Sequence, residues 1–135
     1  MSALNGSSGK IDNINIFISI IKKIARRGKL HLKSINESIA ISWFKEHNVD
    51  FHKWSNESNI VYEYHEHNYH KVLFCTQGSI NFYINSVTYT LEAGDRLDLP
   101  KLTLHKAMIL DGGVTCIEGA LTTLKDSVLK ISKYV

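Results

Sequence analysis

Residues 62–78 read YEYHEHNYHKVLFCTQG and residues 94–105 read GDRLDLPKLTLH, and the rest of the chain is organised around these two runs. In a β-strand side chains alternate faces with a period of two, so His65 and His67 project to the same side, close enough to share one ion. His105 ends the second run, where Gly94 and Pro100 mark a turn into a short strand and then a bend. It is the natural source of a third imidazole. Neutral imidazoles suit zinc, iron, copper or nickel, and three of them leave positions for water or substrate. The competing reading of an HxH pair alone is two surface histidines on an edge strand, kept polar by Glu63 and Glu66.

Working outward, residues after Val49 read as β throughout. Candidate strands cover 50–54, 60–66, 71–76, 79–84, 87–91, 96–99, 104–110, 114–120 and 128–135, divided by Gln77-Gly78, Asn85-Ser86, Ala93-Gly94 and Asp111-Gly112-Gly113. No helical pattern interrupts them, which excludes a βαβ sheet and predicts an antiparallel sandwich or barrel. Asp95 and Asp98 read as turn-forming and solvent-facing. Before this region two helices are expected. Over 11–27, Ile11, Ile14, Phe17, Ile21 and Ile24 recur at three and four, and Gly28 ends the stripe. Ser34 followed by Glu37 reads as a capping box that starts a second helix, with Asn48 as its stop.

The two opening runs resemble the paired signatures of the cupin superfamily. The first signature has two histidines one residue apart, a carboxylate four positions on and a glycine seven beyond it; His65, His67 and Gly78 match, and Lys71 stands at the carboxylate position. Gly94, Pro100 and His105 fit the second, with Leu102 at its usual second glycine and Ile109 at its closing asparagine. WSN at 54–56, YHKVLFC at 69–75, GDRLDLP at 94–100 and GVTCIE at 113–118 are similar to a small single-domain cupin group of uncharacterised function. The resemblance implies an all-β fold, a cupin-type jelly-roll β-barrel preceded by two N-terminal α-helices. Residues 1–10 would be a disordered tail or expression remnant, 11–48 the helical segment and 49–135 the jelly-roll domain.

The resemblance also implies one divalent transition metal ion (zinc, iron, nickel or copper) on His65, His67 and His105. An ammonium cannot coordinate while protonated, and a cation beside a divalent ion is repelled. Lys71 is therefore expected to swing away, to bind an anionic group of the substrate or to pair with Glu63. His70 is a candidate fourth ligand, with an acid–base role or an ordinary loop position as alternatives. Lys71, Glu63 and Tyr83 are the candidate substrate-binding residues. The implied function is action on a small polar or carboxylated molecule, with dioxygenase or isomerase chemistry as family precedent; the alternative is a metal-dependent binding or regulatory module without catalysis.

Bulk properties bound the remaining classes. A chain of 135 residues with 44% hydrophobic residues and one proline is expected to form one ordered domain. No apolar run reaches membrane-span length, and Asp12 with many asparagines spoils a signal peptide, so a cytoplasmic protein without membrane contact is expected. Cys75 and Cys116 sit in apolar β-like runs and read as buried free thiols. The net charge of +3 is unevenly placed, with Lys10, Lys22, Lys23, Arg26, Arg27, Lys29 and Lys33 crowding the first quarter against Asp12 alone. A solvated helix face accounts for that cluster, since no second helix shows a base-reading set of arginines or lysines, and nucleic acid is not an expected partner. An isoleucine-rich helix must bury its stripe, and a homodimer would cover it.

Overall fold

Residues 7–123 and 128–135 are described by a computed structural model of the chain. The first six residues of the expected tail lie outside them. One helix, α1 (Ser7–Glu46), replaces the two that were expected. Gly28 costs a helix only about 1 kcal/mol relative to alanine, and no proline stands nearby to break it. The capping box does not form. Ser34 lies inside the helix, and the Glu37 carboxylate faces Lys33 (3.9 Å) and Lys53 (3.6 Å) instead of an amide. Asn48 does end the helical path: it adopts φ 54°, and the Val49 amide donates to the Phe44 carbonyl at 3.0 Å.

The chain divides into two compact units, Met1–Leu32 and Lys33–Val135. In the first, the expected stripe is present on the helix, and Ile14, Phe17, Ile21 and Ile24 are all exposed. No described helix is long and apolar enough to cross a membrane.

The second unit is an antiparallel sheet with the end of α1 against one face. Its strands are β1 (Phe51–Asn56), β2 (Val61–His65), β3 (His70–Ile84), β4 (Val87–Glu92), β5 (Asp95–Leu99), β6 (His105–Leu121) and β7 (Lys130–Lys133). The order is β1-β6-β3-β5-β7, with β2 also on β6 and β4 also on β3. Among the described residues no ladder joins β1 or β2 to β4 or β7, so the sheet is open. The all-β, closed jelly-roll expectation is corrected on both counts: a 40-residue helix precedes the strands, and the sheet does not close into a barrel.

Two expected turns are bends within long strands. Gln77-Gly78 lies inside β3 and Gly112-Gly113 inside β6, with register shifts on either side of Gly78. Gly78 has φ 77°, and a Cβ there would lie 2.0 Å from the Gly113 carbonyl oxygen. Glycine is required because two backbones cross at contact distance.

Alternation along β3 then builds two cores. Val72 and Phe74 pack with Ala40, Phe44 and Ile117 beneath the helix end, while Leu73, Cys75 and Ile80 face the opposite side with Leu97 and Ile109. Asp95 and Asp98 are buried, against expectation: Asp95 accepts the Glu92 amide and pairs with Lys133, and Asp98 pairs with Arg96. Arg96 in turn lies over the Trp43 ring at 4.4 Å.

Candidate metal centre

The three histidines singled out by spacing come together. His65 closes β2, His105 opens β6 directly opposite it in the ladder, and His67 follows in the loop between β2 and β3. Their ring centroids are 4.3 Å (His65 to His105), 4.8 Å (His65 to His67) and 5.2 Å (His67 to His105) apart, and one nitrogen of each lies within 4.8 Å of the others. Two backbone carbonyls set the tautomers. His65 Nδ1 donates to the Glu63 carbonyl at 2.6 Å, and His105 Nδ1 donates to the Thr103 carbonyl at 2.8 Å. A carbonyl only accepts, so Nδ1 carries the proton in both rings and Nε2 keeps its lone pair. His67 presents the clearest signal: its Nε2 is shut off from solvent and has no hydrogen-bond partner. The donor set therefore fits a cation that accepts nitrogen lone pairs.

The electrostatics favour the neutral form of His67 and His105. Burial, then the nearby Lys71 ammonium and the other two imidazoles, lower the pKa of His67 to about 4. His105 is also lowered, chiefly by burial. Neutral imidazole is the form that binds a metal. Backbone and aromatic contacts fix the loop: the His67 carbonyl accepts the Leu102 amide at 2.7 Å, and Tyr69 stacks on the His67 ring. Leu102, at the position where the cupin signature has glycine, sits at φ 60°. This left-handed geometry explains why a glycine suits that position.

The cluster opens onto a cavity of about 300 Å³. Leu73, Ile80, Phe82 and Ala107 form its apolar wall, and His52, Trp54 and Tyr62 contribute from β1 and β2. Lys71 also lines it, but not as a partner of Glu63. Its Nζ lies 3.1 Å from Glu118 Oε2, and Glu118 Oε1 accepts the Trp54 indole N–H at 2.5 Å. Glu118 was missed in the sequence. The signal was present in the alternation of β6, where Cys116 and Glu118 share the face opposite Ile117, so a lone carboxylate in an apolar run had to point inward.

Three other candidates lie elsewhere. His70 is buried, and its Nδ1 accepts the Lys101 amide at 3.1 Å, away from the histidine cluster. Glu63 and Tyr83 do not line the cavity; Tyr83 is the strand neighbour of Phe82, which does, and alternation turns it to the other face.

No protein-family model matches the chain, and no curated protein is similar to it in sequence. Solved structures are. The chain is similar to an RmlC-like cupin from Shewanella frigidimarina, with 21% identity and TM-score 0.50 over 59% of this chain and 71% of that one. It is similar to a conserved protein of unknown function from Streptococcus pyogenes, with 12% identity and TM-score 0.50 over 55% and 64%. It is also similar to the DMSP lyase DddQ from Ruegeria pomeroyi, with 17% identity and TM-score 0.50 over 56% of this chain and 39% of that one. At these identities the likeness is one of fold.

Proposed function

We propose that this chain, which has a cupin-type fold, holds one divalent transition metal ion on His65, His67 and His105 and acts on a small polar or carboxylated molecule in the adjoining cavity. The observation that carries the reading is the buried, partnerless Nε2 of His67, set beside two imidazoles whose Nδ1 protons are already engaged by carbonyls. A set of nitrogen ligands suits zinc, iron, nickel or copper better than manganese or magnesium. When bound, such an ion supplies a Lewis acid at the end of the cavity. Three protein ligands leave coordination positions open, which favours capture of a ligand over a purely structural ion. Lys71 and Glu118 line the same space and provide charged groups for orienting a polar molecule. Dioxygenase- or isomerase-like turnover and binding without turnover both use this arrangement, and chemical change of the captured molecule separates them.

The test is elemental analysis of protein purified without a metal column, for the wild type and His67→Ala. About one equivalent of ion in the wild type and none in a folded His67→Ala variant is the expected result. Equal metal content in the two proteins would end the reading.

A further inference from the structure

Lys71 and Glu118 form an ion pair inside the cavity, with side-chain exposures of 11% and 12%. They come from adjacent strands: the ladder sets Leu73 opposite Glu118 and Lys71 opposite Ala120, so the two charged side chains are diagonal neighbours on the cavity face. Each is the other's counter-charge where water is largely excluded, and removing the compensation of a buried charge is costly. The indole N–H of Trp54 holds the second carboxylate oxygen of Glu118, which fixes the direction of the anion.

This arrangement restricts what can bind. A ligand with only a carboxylate reaches Lys71 either by displacing Glu118, which leaves that anion with Trp54 alone, or by placing a second anion beside it. A ligand with only an ammonium has the mirror problem at Lys71. A molecule carrying both charges satisfies both side chains together, and the apolar wall of Leu73, Ile80, Phe82 and Ala107 accepts a short hydrocarbon between them. We infer that the ligand of this cavity is a small zwitterion, with its anionic group on Lys71 and its cationic group on Glu118. The inference rests on reading the cavity as the ligand site of the proposed metal centre, and it narrows the class of molecule. A volume of about 300 Å³ lies at the small end of ligand cavities, which keeps the zwitterion short.

The experiment is calorimetry in two stages. Zinc is titrated first, into wild type and Glu118→Gln. Short ω-amino acids of increasing length are then compared with the carboxylic acid and the alkylamine of matched length. At least one amino acid is expected to bind about tenfold or more tightly than both matched partners, with Glu118→Gln retaining zinc and losing most of that preference. A matched acid or amine that binds as tightly as every amino acid overturns the inference, as does a series in which no amino acid binds. An unchanged preference in Glu118→Gln overturns it too. If that variant fails to fold, the wild-type preference alone decides. Zinc binding without the preference refutes the zwitterion and leaves the metal reading standing; absence of zinc binding removes zinc from the metal reading, while the ligand series still judges the zwitterion.

Discussion

Cys75 and Cys116 stand directly opposite one another across the β3–β6 ladder, both reduced and both buried in the core behind the cavity. The Cys75 thiol is directed at the carbonyls of Gln77 and Gly78, where β3 bends. A hydrogen bond with Cys75, together with burial, pushes the Cys116 pKa well up. The thiolate is the reactive form, so this thiol is inert at neutral pH. Neither cysteine is expected to react with a thiol reagent in the native protein, and both should react once urea unfolds it. Rapid labelling of either without unfolding would contradict this packing.

Acidification should destabilise the metal-free protein. The pKa of His67 is about 4 in the fold against 6.5 as the ordinary value, and His105 is lowered as well. Below pH 6.5 the unfolded chain takes up protons that these folded rings refuse, so stability falls as pH drops from 6.5 toward 4. Above 6.5 the rings are neutral in both states and contribute no slope. Melting temperatures across this range should fall less steeply in His67→Ala than in the wild type. Parallel curves would show that His67 is not held neutral.

The Lys71–Glu118 pair should show strong energetic coupling. Removing one partner of a buried pair costs about 3–5 kcal/mol, and partial exposure places Lys71→Met and Glu118→Gln toward the lower end of that range. The double replacement Lys71→Met with Glu118→Gln removes both charges and should recover most of the loss. Urea unfolding of the four proteins gives the coupling directly. Additive losses would mean that the two charges do not meet in solution.

Gly78→Ala should be among the most damaging single-methyl additions in this chain. Its left-handed backbone alone costs a non-glycine residue about 1–3 kcal/mol. The added carbon would also meet the Gly113 carbonyl at 2.0 Å, and backbone cannot swing aside as a side chain can. Gly28→Ala, in open helix, should be neutral or stabilising by comparison. Equal stability of the two variants in thermal unfolding would refute the crossing of β3 and β6 at Gly78.

What the sequence determined by itself is whatever depends on local period and on a few special residues. The HxH pair with the glycine and proline spacing marked the three histidines that meet, although His67 sits in the loop past β2 and not on a strand, and Asn48 marked the end of the helix. Other outcomes depended on the tertiary structure, because the local signals were weak or ambiguous. A glycine with positive φ serves a hairpin turn and a strand bend equally well, so Gln77-Gly78 and Gly112-Gly113 read as reversals until β3 and β6 were seen to pair along their whole lengths. Gly28 and an N-cap at Ser34 together offered about 1.5–3 kcal/mol for breaking the helix, yet α1 runs through both. Closure or openness of a sheet lies in which edges pair, and no residue records that alone. Lys71 found its counter-charge in Glu118, on a distant stretch of sequence, because register between β3 and β6 decides which charged side chains become neighbours.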